Sequence, residues 1–169
     1  MKGTLQFDFI ADKEKNTITV RREFAAKRQL VWDCHTKSEL LEKWFAPKPF
    51  KAKTKSMDFK EGGHWIYAMV DPDGKEHWGH TKYIKIKPID YYQAQDAFAD
   101  ESGNINTELP TAIWDVTFTD KGNHTVVETI ATYNSLHDIE KVVNMGMREG
   151  LNASLENLDE LLLTLTSQS

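Results

Sequence analysis

The spacing of apolar and polar positions changes character three times along the chain. In "NTITVRREF" (16–24), Ile18, Val20, Arg22 and Phe24 alternate with their neighbours, which predicts a strand with one buried side. "AAKRQLVWDCHTKSELLEKWFAP" (25–47) then turns helical, with Leu30, Val31 and Cys34 on one stripe. Thr36 followed by Glu39 has capping-box spacing and predicts a second short helix through Leu40, Leu41 and Trp44, stopped by Pro47 and Pro49. From about 52 to 133 the chain reads as six strands. Turn signals separate them at "EGG" (61–63), "DPDG" (71–74), "KPID" (87–90), "DESGN" (100–104) and "DKGN" (120–123). Turns this close together join antiparallel strands, because parallel neighbours need a long crossover.

The last third differs. After Ser135 and Asp138, again at capping-box spacing, Val143, Met147, Leu151, Leu155, Leu158, Leu162 and Leu165 step by threes and fours. This predicts one continuous helix over about 137–164. A helix with one apolar stripe must bury it, and the sheet is the available partner. The fold class is therefore α+β: an antiparallel sheet of six to seven strands, two short helices after the first strand, and a long C-terminal helix. Nothing reads as a linker, so residues 1–169 are taken as a single domain, with 1–15 an N-terminal extension and "DKEK" (12–15) a solvated charge run.

Composition narrows the function. A formal net charge of −5 gives no excess of Lys and Arg for phosphates, which argues against a nucleic-acid partner. One cysteine, Cys34, excludes an internal disulfide and fits a reducing, cytoplasmic setting. Cys34 itself reads as a small buried apolar residue. No run approaches the ~18 apolar residues that span a bilayer, and the N-terminus lacks the apolar core of a signal peptide. Neither membrane nor cofactor is expected. The chain is expected to be a monomer or homodimer.

The stretch "DFKEGGHWIYAMVDPDGKEHWG" (58–79) concentrates aromatic residues around one turn. A two-residue loop would set Trp65 opposite His80 and Tyr67 opposite Trp78, putting Trp65, Tyr67, Met69, Trp78 and His80 on one face. A three-residue loop with Gly74 in a bulge would move Trp78 and His80 to the other face. The first register is preferred, because Lys85 and Lys87 should point to water. Ile84 and Ile86 then point inward, and steps of two carry that face back to His80 and Trp78. Tryptophan and tyrosine carry polar atoms that need partners when buried, so this cluster suits either a core or a semi-polar cavity. Gly146 and Gly150, one turn apart, fit a cavity and close helix–sheet contact equally well. Met145 and Met147 suit an adaptable apolar wall or ordinary packing.

Little supports catalysis or metal binding. His77 and His80 would lie on opposite faces of a strand, with no Cys or acidic pair to complete a metal site. There is no nucleophile elbow and no phosphate loop. His80, Asp96 and Tyr67 are the one combination able to form a buried acid–base set.

The order of elements, with "LVWDCHTKSELLEKWFAP" (30–47), "DAFADESGNINTELP" (96–110), "WDVTFTDKGNHTVVE" (114–128) and "MGMREGLNASLENLDELL" (145–162), resembles the START-like (SRPBCC) superfamily. The branch it resembles is named after the heat-shock protein 90 ATPase activator homologues. The resemblance implies a helix-grip (START/Bet v-like) fold, a curved sheet around the long helix with a cavity between them. It also places the aromatic side of "GGHWIYAM" toward that cavity. The expected wall is Trp65, Tyr67, Met69, Trp78 and His80 from the hairpin, with Phe98 and Trp114 from later strands. Trp44 closes one end, and Met147 and Leu151 come from the helix. The implied function is binding of a small hydrophobic or aromatic molecule. Alternatives are a polyketide cyclase/aromatase-like enzyme and a co-chaperone-like interaction module. The activator's separate N-terminal domain has no counterpart in this sequence, which counts against the last.

Overall fold

Alternation in the chain becomes one antiparallel sheet. The computed structural model describes residues 7–166. Strands β1 (Phe7–Asp12), β2 (Thr17–Phe24), β3 (Lys51–Met57), β4 (His64–Val70), β5 (Glu76–Lys87), β6 (Tyr91–Phe98), β7 (Ala112–Lys121) and β8 (His124–Tyr133) lie in the order β1-β2-β8-β7-β6-β5-β4-β3. Helices α1 (Arg28–Thr36) and α2 (Ser38–Leu41) join β2 to β3, carrying the chain from one side of the sheet to the far edge. The expected turns fall between the expected strands.

The eighth strand is β1, which lies within the segment read as an extension. Phe7, Phe9 and Ala11 pair with Arg22, Val20 and Ile18, and both phenylalanines pack on the core. The "DKEK" run is the β1–β2 turn. Asp12 Oδ1 accepts from the Glu14 and Lys15 amides, and Asn16 takes the left-handed conformation with φ 57°.

Three local expectations are corrected. Thr36 does not cap α2. It ends α1, and its hydroxyl donates back to the Trp32 carbonyl at 2.9 Å. The C-terminal helix is not continuous. Ser135 caps α3 (Leu136–Asn144) as expected, accepting from the Asp138 amide, but the chain breaks before α4 (Met147–Thr166). Gly146 sits at the break with φ 91°, and its amide bonds to the Val143 carbonyl, the left-handed C-terminal stop that glycine permits. The inner face of α3 is consequently Ile139 and Val142, while Val143 is exposed. Both helices still face the same interior, so the grip is kept.

The third correction is the β4–β5 register. Tyr67 pairs with Gly79, Ile66 with His80 and Ala68 with Trp78. Pro72 and Asp73 occupy the centre of the turn and Gly74 follows with φ 87°, closing a three-residue loop. The inference from Ile86 failed because a second irregularity intervenes. Tyr83 pairs with Ala94 and Lys85 with Gln93, leaving Ile84 as the extra residue of a bulge that reverses parity. Ile86 does pack on the core, but Gly79, Thr81 and Tyr83 are the inward residues before it.

Helix α4 is fixed to the sheet along its C-terminal half. Leu155, Leu158 and Leu162 are buried. Beside them Arg22 of β2 pairs with Asp159, with its guanidinium 5.0 Å from the Phe24 ring centroid. Ser154 Oγ donates to the Phe45 carbonyl at 2.8 Å, and Asn157 Nδ2 to the Ala46 carbonyl at 3.1 Å. These bonds satisfy carbonyls left without helical partners just after α2.

Two stability outcomes follow. Leu155→Ala should cost about 2–5 kcal/mol, as core truncations do, and Leu151→Ala less, since both border the open space but Leu151 is only partly buried. Urea melts of the two variants compare them; equal large losses would mean a filled interior at Leu151. The two glycines should respond with opposite sign. Gly150→Ala should stabilise by up to ~1 kcal/mol, because no atom lies within 4 Å of a β-carbon built there. Gly146→Ala should destabilise by about 1 kcal/mol or more, because of its positive φ.

Candidate functional site

Small residues placed between large ones open a cavity of about 440 Å³ between the sheet and the N-terminal half of α4. One cross-strand row on the inner face runs Trp65, Thr81, Asp96, Ala112, Tyr133. The next runs Tyr67, Gly79, Phe98. Gly79 lets the Tyr67 ring lie flat on the sheet, Ala112 leaves a gap beside aromatic neighbours, and across the gap α4 offers Gly150. The size lies within the usual range for small-molecule sites.

Hydrogen bonds and ring contacts hold the wall in place. Trp65 and Tyr67 stack at 4.0 Å between centroids, and Phe45 meets both edge-on at 5.0 and 5.4 Å. Trp65 Nε1 donates to Thr54 Oγ1 at 3.1 Å, and Trp44 Nε1 to the Cys34 carbonyl at 2.9 Å. Tyr67 lies over Gly79 so closely that a β-carbon there would fall 2.5 Å from its Cζ and Oη. At the α1 end, His35 is held between the Trp44 and Phe118 rings, with Nδ1 2.8 Å from the Val31 carbonyl oxygen. Burial lowers its pKa to about 4, so it is neutral. Burial likewise pushes the Cys34 thiol up to about 12 and keeps it protonated.

The residues singled out from the sequence divide in two. Trp44, Trp65, Tyr67, Met69, Phe98, Trp114, Met147 and Leu151 all border the cavity. His80 does not. The register places it on the outer face, where its ring stacks on His64 at 4.7 Å with Nε2 2.5 Å from His64 Nδ1. Trp78 is intermediate. It touches the cavity rim, but by alternation its ring lies on the outer face, with Lys53 Nζ 5.9 Å from its centroid.

Asp96, which the sequence reading named only in an acid–base set with His80 and Tyr67, is the one carboxylate among the residues lining the cavity. The Thr81 hydroxyl donates to its Oδ1 at 3.0 Å. Burial raises its pKa to about 6, held down in part by hydrogen bonds from Thr81 and Tyr67. The fold thus disfavours its ionised form. That cost is present above about pH 6 and fades as the pH falls toward the ordinary aspartate value of 3.8. No ion pair involves Asp96 among the described residues. Its even spacing from Phe98, Ala94 and Tyr92 puts it on one strand face with them.

Comparison with known proteins agrees with this architecture. A protein from Arthrobacter aurescens has a TM-score of 0.87 at 29% identity, over 93% of this chain and 91% of that one. Protein Ms6760 from Mycobacterium smegmatis has a TM-score of 0.86 at 30% identity, over 94% and 97%. CalU16 from Micromonospora echinospora shares the fold, with a TM-score of 0.62 at 16% identity over 96% and 77%. No curated protein matches the chain significantly. The model of the family described as "Activator of Hsp90 ATPase homolog 1-like protein" matches residues 25–163, and with this helix-grip architecture around it the chain belongs to that family, within the START-like superfamily.

Proposed function

We propose that the protein binds a small apolar or aromatic molecule in the cavity between the sheet and α4. The observation that carries this is the cavity itself: about 440 Å³, walled mainly by aromatic rings, methionines and aliphatic side chains. Few polar groups interrupt the wall, the pattern of sites that recognise ligands by shape and orient them by one or two contacts. START-like proteins commonly hold hydrophobic ligands, which supports the reading. Among the described residues no helix is long and apolar enough to cross a membrane.

A second reading, a cyclase-like enzyme, draws on Asp96. A carboxyl group that titrates near pH 6 beside Tyr67 and Thr81 could exchange a proton with a bound substrate. Mass spectrometry separates the two readings. A pure binder returns its ligand unchanged after incubation, whereas an enzyme returns a compound altered in mass or retention.

Binding can be tested with N-phenylnaphthylamine, an apolar dye that brightens in apolar surroundings. Its fluorescence should rise saturably with protein, and the intrinsic tryptophan emission should change in parallel, because Trp44, Trp65 and Trp114 border the space. Gly150→Phe should abolish both responses while leaving a cooperative thermal transition, since its ring would enter the open space beside Gly150. Unaltered dye binding in a folded Gly150→Phe protein would remove the cavity as the site.

A further inference from the structure

We infer that the ligand is an amphiphilic amine, with its ammonium group seated on the Asp96 carboxylate and its apolar body among the aromatic rings. This rests on the cavity-binding reading above and adds the chemical class of the ligand.

Charge gives the first argument. The side chains lining the cavity include no Lys, Arg or Glu; Asp96 is their only carboxylate, and no ion pair among the described residues balances it. A carboxylate placed in an apolar space is costly unless a cation joins it. His35 cannot be that cation, because burial keeps it neutral, and His77 pairs with Asp71. A ligand that brings a positive charge completes the site. One that brings a second negative charge meets repulsion.

The groups around Asp96 give the second. Tyr67 on β4, Tyr83 on β5, Tyr92 on β6 and Tyr133 on β8 all feel its charge, each with its own hydroxyl pKa raised further by it. These phenols therefore stay neutral near pH 7. All four line the cavity, and aromatic rings gathered about one carboxylate are surroundings in which ammonium groups are recognised, by the ion pair and by attraction to ring quadrupoles. Opposite them α4 contributes Met147 and Leu151, which carry no charge.

Trp114 adds a further constraint. Its Nε1 is buried with no hydrogen-bond partner among the described residues. Trp114 pairs with Ala94 and Asp96 with Ala112, so the two are diagonal neighbours on the same face, about 7–8 Å apart along the backbone. A ligand carrying an oxygen acceptor as well as its amine would satisfy both groups at once. An amino ether or an amino alcohol meets the description.

The test uses two compounds of one carbon skeleton, naphthylethylamine and naphthylethanol, each titrated into the wild-type protein by calorimetry. Well above pH 6 the amine should bind about tenfold tighter or more, the scale of a charge-assisted hydrogen bond. The preference should vanish as the pH falls through the Asp96 value of about 6 or somewhat below it, because protonation removes the charge that the ammonium needs. Asp96→Asn should bring the ratio of the two affinities close to one at every pH, and a thermal melt confirms that the variant is folded. The variant also separates Asp96 from His77, whose ring stays in place. Equal affinities in the wild type, a preference for the alcohol, or an amine preference that survives Asp96→Asn or the acid arm would overturn the inference and leave the cavity reading standing. Binding of neither compound by the wild type, together with no dye response, would overturn both.

Discussion

The hold on α4 ends halfway along it, and the rest of the interior follows from that. Its C-terminal half is tied down by Leu158, by the Arg22–Asp159 pair and by Ser154 and Asn157 on the chain after α2. Removing one partner of a buried ion pair strands the other, which makes this half of the contact hard to slide. Two turns earlier the helix carries Gly150 and Leu151 and has lost that grip. One rigid helix therefore serves as core at one end and as the roof of an open space at the other.

The open space is kept by what is missing from the opposite wall. Ala94 and Ala112 stand where an ordinary sheet core would carry branched side chains, and their aromatic neighbours are too firmly held to fall into the gaps. Tyr67 is fixed by its stack on Trp65 and by close contact with Gly79. Trp44 is anchored by a hydrogen bond to α1. Packing rigidity is thus what keeps the cavity from collapsing, and the single carboxyl of Asp96 gives it polarity.

Much of the architecture could be read from sequence because it rests on local signals. The five turns of the β3–β8 meander carry Gly, Pro or Asx residues that leave few alternatives, and Ser135 caps α3 through its own side chain. What escaped reading depends on relations between distant residues. Gly74 announces a bend but not how many residues the loop will hold, and the compensating bulge at Ile84 has no sequence mark. Gly146 and Gly150 look alike in the helical pattern, yet one ends a helix and the other lies inside one. Ser154, Asn157 and Asp159 read as the polar side of an amphipathic helix, although their partners lie 109 to 137 residues away. Asp96 was legible as a candidate acid but not as part of the cavity wall, for a similar reason. An acid on an inward strand position contradicts simple patterning unless a cavity is already assumed, and "YYQAQDAF" alternates too weakly to show which side is inner.

The paired irregularities at Gly74 and Ile84 have a consequence for how this sheet can vary. Each shifts the strand by one residue, and between them lies the span from Lys75 to Tyr83. Removing one residue from the turn and the extra residue of the bulge together would turn that span over, bringing Trp78 and His80 inside and sending Gly79 and Thr81 out, while Ile86 beyond the second shift kept its place. The segment behaves as a reversible panel in the wall. Two coupled one-residue changes exchange a glycine-and-threonine lining for a tryptophan-and-histidine one, a change of ligand chemistry that no single substitution within the strand could match.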